Sequence, residues 1–159
     1  MDADFKTAYS MLPKSSKRVA VVIKLANQLA REDEQEYVGT EHMLLAILHE
    51  GTGIGSTLLV GRGVTAEGLR KEIDGLIRKQ MEETWVFGRL PGTPHFKNVM
   101  ASAISEAQDE GAREVCTEHI LLALARERGC VAQKSLENLG IKHDDLRHDL
   151  SAIRAGIDS

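Results

Sequence analysis

The apolar residues Val19, Val22, Ile23, Ala26, Leu29 and Ala30 recur at steps of three and four. That spacing predicts an amphipathic helix of about four turns, and a serine ahead of it can cap its free amides. The charged stretch "REDEQEYVG" ends this helix. Thr40 is expected to open the next one as its N-cap, with Glu41 in the first turn complementing the helix dipole and Leu44, Leu45 and Leu48 facing inward. The glycines of "HEGTGIG" break the second helix, "STLLVGRG" makes a short third, and Gly63 suits a left-handed C-cap. Thr65 then caps a fourth helix whose stripe is Leu69, Ile73, Leu76 and Ile77.

The same text is then written again. Thr40, Glu41 and His42 return as Thr117, Glu118 and His119, and Leu44, Leu45 and Ala46 return as Leu121, Leu122 and Ala123, every shift being 77 residues. The offset carries without a gap from Ser16, which falls on Thr93, to Leu76, which falls on Ile153. A whole four-helix unit is therefore duplicated. Pro94 sits at a permissible first-turn position of the second copy. Residues 81–92 lose helical periodicity and carry the only tryptophan, so they are expected to form a loop between the copies. The organisation predicted is an amino-terminal extension over 1–14, a first repeat over 15–80, a loop over 81–92 and a second repeat over 93–156. One unit alone leaves an apolar face uncovered, so the two are expected to pack as a pseudo-twofold pair in a single all-α domain.

Composition narrows the class. A chain of 159 residues can bury roughly 70% of its unfolded surface, enough for a core without cross-links. An apolar fraction of 42%, a charged fraction of 28% and three prolines argue for an ordered globular chain, and the scarcity of aromatics favours aliphatic helix packing. A net charge of −4 without a Lys/Arg run argues against a nucleic-acid partner. No apolar run reaches the roughly 18 residues that a membrane helix needs, and the first residues have the wrong order of charge and hydrophobicity for a secretory signal. A soluble, cytoplasmic chain, monomeric in isolation, is the expectation. Cys116 and Cys130 lie outside any metal-binding spacing and are expected to be reduced, packed thiols.

The repeated acid is the candidate chemistry. Threonine capping and an acidic first turn account for Thr40-Glu41 and Thr117-Glu118 structurally, yet an acid adds little to a helix already capped, so Glu41 and Glu118 stand equally as recognition residues. His42 and His119 stand without an HExxH or carboxylate partner spacing and are expected to be packed or hydrogen-bonded rather than ligands. A hydrolase built on a glutamate and its neighbouring histidine is disfavoured, because adjacent helical residues point about 100 degrees apart and no Ser or Cys nucleophile motif accompanies them. No catalytic residue, cofactor or metal is predicted. Trp85 and Phe87 lie in the aromatic cluster between the copies, either covering the seam or offering an apolar patch to partners.

Twin copies of "GTEHMLLAILHEG" and "CTEHILLALARERG", each behind a capped amphipathic helix and ahead of a "GRGV" or "NLGI" turn, resemble the amino-terminal repeat domain of Clp-type AAA+ unfoldases, especially the ClpC and ClpA branch. The likeness runs from about Ser15 to about Ala155. It implies an all-helical, non-catalytic module that receives adaptor proteins and protein substrates for a Clp ATPase ring or protease. A GxxxxGK[ST] phosphate loop, which the motor would need to hold a nucleotide, is absent from this sequence. Two settings stay open: the front domain of a longer unfoldase, or a stand-alone regulator docking on the Clp protease complex. In ClpC-like members the resemblance further implies two pockets for phosphorylated arginine. Carried over by position, these pair Glu41 with Ser16 and Glu118 with Thr93, with Lys97 neutralising the phosphate. Ala20 stands at the position equivalent to Lys97, and Cys116 replaces the glycine ahead of the second TEH.

Overall fold

The computed structural model describes residues 14–35, 38–85 and 93–158, and their side chains except those of 79–85, 93–94 and 157–158. Among these residues the chain forms helices only: α1 (Lys17–Glu32), α2 (Thr40–Glu50), α3 (Ile54–Gly61), α4 (Ala66–Trp85), α5 (Thr93–Glu110), α6 (Thr117–Arg126), α7 (Val131–Asn138) and α8 (His143–Asp158). The expected all-α, twice-four arrangement is present. The starts of α2 and α6, α3 and α7, and α4 and α8 each keep the 77-residue offset. One boundary differs, since α4 continues through Trp85 where a loop was expected from residue 81. The remaining residues of that loop, Phe87 among them, lie outside the described residues, as does the extension over 1–13.

Local chemistry sets the helix ends. Ser16 caps α1, its Oγ accepting from the Val19 amide at 3.2 Å, and Thr65 Oγ1 accepts from the Gly68 amide at 3.0 Å to cap α4. Gly63 and Gly140, at φ of 82° and 79°, close α3 and α7 in the left-handed region, where a side chain would be strained. The predicted stripe of α1 is its buried face, with Val19, Val22, Ile23, Ala26 and Ala30 inaccessible.

The two TEH helices differ from the others in having no wet face. Every residue from Thr40 to Leu48 in α2, and from Thr117 to Ala125 in α6, is buried. A helix apolar on all sides belongs at the centre of a core, and α2 and α6 meet there. The remaining contacts come in reciprocal pairs. Helix α3 packs on α6 as α7 packs on α2, and α4 meets α7 as α8 meets α3. This is the signature of a twofold, isologous packing carried out within one chain.

Burying the amino-terminal turns of α3 and α7 leaves their amides to be satisfied by protein groups. The threonines of the motif do this across the axis. Thr117 Oγ1 accepts from the Gly55 amide at 3.0 Å, and Thr40 Oγ1 accepts from the Ala132 amide at 3.3 Å. Gly55 and Ala132 are themselves one repeat apart. Thr40 therefore does not cap its own helix, as the sequence suggested; Gly39 holds that position and the hydroxyl caps the short helix of the other repeat. Arg62 of α3 also reaches across, its Nε 2.7 Å from Asp149 Oδ2 on α8.

Replacing Thr117 by Val keeps the shape but leaves the Gly55 amide unpaired in a buried position. The expected loss is about 1 to 3 kcal/mol, read as a fall in thermal midpoint of about 2 to 4 °C per kcal/mol. An unchanged midpoint in both Thr117→Val and Thr40→Val would show that these cross-axis bonds do not hold the repeats together.

Candidate binding site

With threonine committed to the other repeat, the rest of the motif divides between scaffold and surface. His42 Nδ1 accepts from the Gly39 amide at 3.0 Å, and His119 Nδ1 accepts from the Cys116 amide at 2.9 Å, so each ring reaches back to the start of its own helix. The proton then sits on Nε2, which faces Asp33 Oδ2 at 3.2 Å in the first copy and Glu110 Oε1 at 3.2 Å in the second. Both rings are only 1% exposed and both nitrogens are engaged. The histidines are satisfied core residues, as expected.

The glutamates are not equivalent. Glu118 accepts a hydrogen bond from Arg154 Nη2 at 2.6 Å, and the same nitrogen lies 2.8 Å from Glu110 Oε1. Glu41 has no such partner, because the residue one repeat before Arg154 is Ile77. Its Oε2 is buried without a hydrogen bond among the described residues. The glycine ahead of the motif permits this: a Cβ placed on Gly39 would fall 2.5 Å from both carboxylate oxygens of Glu41, so the carboxylate fills the space a side chain would need. Cys116 carries that Cβ in the second copy, where the glutamate is paired with α8. Removal from water pushes the Glu41 carboxyl above its ordinary range, partly offset by His42. Arg70, near it in charge, is taken by Asp33.

Around Glu118 lies a cleft of about 390 Å³ lined by Ser16, Arg18, Arg113, Glu114, Glu118 and Arg154, among others. Ser16 arrives there because the chain ahead of α1 pairs with the segment ahead of α6: the Ser16 amide donates to Val115 O at 3.0 Å and the Val115 amide to Lys14 O at 2.9 Å. The positional pairing is thus crossed. Ser16 was expected beside Glu41, but it lies with Glu118, in the other repeat, and its Oγ accepts from the α1 amide at the cleft edge. Lys97 was expected beside Glu118; it is exposed on α5 and does not line this cleft. The Thr93 and Trp85 side chains lie outside the described ones. Arg18 and Arg113, which sequence reasoning passed over, supply the positive charge instead, Arg18 Nε donating to Thr52 Oγ1 at 3.0 Å.

Cys116, Glu118 and His119 place one potential ligand atom each within 4.8 Å of one another. The donor set does not fit a metal. His119 has both nitrogens engaged, and burial, then the Glu118 and Glu114 charges, push the Cys116 thiol up to about 11, far from the thiolate that a metal or a nucleophile requires. Cys130 is buried, its thiol likewise raised by burial, and caps α7 by accepting from the Gln133 amide.

The fold and site define a class: a duplicated, all-helical module with two related buried acidic positions, one of them lining a cleft rimmed by arginines. The chain belongs to the Clp repeat (R) N-terminal domain family, whose model matches residues 14–139 and again 91–157. It is 34% identical over 141 residues to the chloroplastic chaperone protein ClpC1 of Arabidopsis thaliana, covering 89% of this chain and 15% of that protein. It is 36% identical over 141 residues to the ClpA homolog of Cyanidium caldarium, an ATP-binding subunit of the ATP-dependent Clp protease, covering 89% and 16%. The chain thus spans less than a fifth of the length of these curated relatives. In structure it is similar to the N-terminal domain of ClpD from Arabidopsis thaliana (TM-score 0.61, 20% identity, 84% of this chain and 92% of that one). It is likewise similar to the Hsp104 N-terminal domain from Candida albicans (TM-score 0.64, 15% identity, 89% and 91%). Among the described residues no single helix is long and apolar enough to cross a membrane.

Glu41 and Glu106, both perturbed, give opposite pH dependence. Glu41, raised by burial, binds more protons folded than unfolded between its two pKa values, so stability falls as pH rises through that window. Glu41→Gln should therefore stabilise the protein at pH 7, with a gain that shrinks toward pH 4. Glu106 is different: burial raises it, but the His143 hydrogen bond and the charge of Arg147 outweigh that and hold it low, with Arg126 assisting. Its stabilisation is present at neutral pH and is lost as pH falls through its depressed value. Urea unfolding of Glu41→Gln and Glu106→Gln between pH 4 and 7 checks both signs; equal slopes for the two variants would contradict the assignment.

Proposed function

We propose that this chain is a non-catalytic receiving module of a Clp-type, ATP-dependent unfoldase, taking adaptors and substrate proteins, with phosphorylated arginine as the tag it reads. Family membership supports the Clp setting. The observation that carries the tag is the cleft itself, in which Glu118 stands beside Arg18, Arg113 and the capped start of α1. Phosphoarginine is a guanidinium carrying a phosphoryl group. A carboxylate suits the first part, while arginines and a helix amino terminus suit the second. Glu41, buried and lacking a partner for Oε2, is the corresponding acceptor of the other repeat. Lys97 lies on α5, which packs against α2, the helix that carries Glu41.

Hydrolysis is not part of this reading, because the histidines beside both glutamates spend their nitrogens on the scaffold. The setting is that of a domain within a longer ATPase, the relatives being ATP-binding subunits and chaperones several times this length. A native reading frame that stops at this domain would favour instead the stand-alone regulator that docks on the Clp protease complex.

An amide NMR titration with phosphoarginine, with arginine and phosphate as controls, tests the tag. Shifts are expected around Glu41 or Glu118 for phosphoarginine well before either control, and the double variant Glu41→Gln/Glu118→Gln should lose them. The same feeble response to all three compounds would sink the tag while leaving adaptor binding to be sought elsewhere on the domain.

A further inference from the structure

The second repeat already contains a guanidinium where an arginine ligand would place its own. Arg154 comes from α8, lies against Glu118 and Glu110 at 2.6 and 2.8 Å, and is about one-third exposed on the rim of the cleft. The first repeat has the two corresponding acids, Glu41 and Asp33, but carries Ile77 in place of the arginine. There the side-chain oxygen of the glutamate is left without a partner. Arg154 partners the buried Glu118, yet the position it holds is an apolar one in the matching helix, where Ile77 packs against the core.

We propose that Arg154 is an internal occupant of the Glu118 site, a tethered stand-in that a guanidinium-bearing ligand must displace. The two repeats therefore differ in kind. The Glu41 carboxylate keeps one oxygen without a partner, and the Glu118 carboxylate is a filled acceptor that opens only when α8 gives up its arginine. An intramolecular competitor lowers apparent affinity by the fraction of time it is away, so a site closed nine-tenths of the time binds about tenfold more weakly than its open form. Displacement also has somewhere to go. Arg154 is about one-third exposed, and once released it can join Arg18 and Arg113 as a third cation facing a ligand's anionic group.

This inference rests on the receptor reading above, but its test does not need the tag. Methylguanidinium, a bare mimic of the arginine head, is titrated into the wild-type chain and into Arg154→Ile, the residue the first repeat uses, with amide shifts at Glu118, Cys116 and Ser16 as readout. Arg154→Ile is expected to bind at least about tenfold more tightly at these amides than wild type. Arg154→Gln, which keeps much of the stem, should reproduce the gain if Arg154→Ile fails to fold. Adding Glu118→Gln should abolish it. Equal or weaker methylguanidinium binding in folded variants overturns the proposal. Phosphoarginine titrated into the same proteins separates the two ideas: a gain with methylguanidinium but no response to phosphoarginine upholds the occupant and removes the tag. Loss of inorganic phosphate binding in Arg154→Ile, with no gain in methylguanidinium binding, makes Arg154 an anion ligand and defeats the occupant.

Discussion

Two helices buried on every side, α2 and α6, impose the condition that the rest of the domain meets. Their first turns and those of the short helices beside them lie away from water, where each unpaired amide would destabilise the fold by about 1 to 3 kcal/mol. The threonines and histidines of the two motifs discharge that requirement in a divided way. Each histidine returns to the start of its own helix, and each threonine crosses the axis to the start of the other repeat's short helix. Neither repeat alone satisfies the Gly55 or Ala132 amide. The pairing of the two copies is therefore specified by polar groups as well as by the apolar face they share.

The glutamate is the member of the motif that the scaffold does not use. Its two copies have gone separate ways through differences that begin two residues upstream and end on the last helix. The carboxylate of Glu41 fills the space a side chain at Gly39 would need, whereas Glu118 pairs with Arg154. A third acid, Glu106, shows what a buried carboxylate looks like when it is provided for, with His143, Arg126 and Arg147 all within reach. Leu29 occupies its place in the first repeat. The second repeat thus has ion pairs on Glu106 and Glu118 where the first has Leu29 and a glutamate with one unpartnered oxygen.

Helix positions and the twofold pairing were readable from the chain because both rest on spacing, and a fixed offset preserves spacing whatever the residues do. Partners across space were not. Thr40 sits where a capping threonine sits, and only the packing of α2 against α7 turns its hydroxyl to Ala132. Ser16 was matched to Glu41 by position through the family resemblance, while the short pairing of residues 14–16 with Val115 carries it to the opposite repeat. The start of the connecting segment was placed early because the stretch from Met81 to Trp85 lacks an apolar stripe, yet α4 runs through it. Arg154 could have been found. It falls on Ile77 under the repeat offset, and a charge at an apolar position of a duplicated helix asks for a partner.

The cross-axis caps also bear on descent. A single repeat could close the same hydrogen bonds with a second copy of itself, as an ordinary symmetric dimer, but every substitution would then appear in both halves at once. An arginine filling one acidic site would fill the other. Joining the copies in one chain keeps the mutual capping and lifts that restriction, so a tandem gene can hold one half fixed while the other explores. The difference between Ile77 and Arg154 is a freedom open to a fused pair and closed to a homodimer.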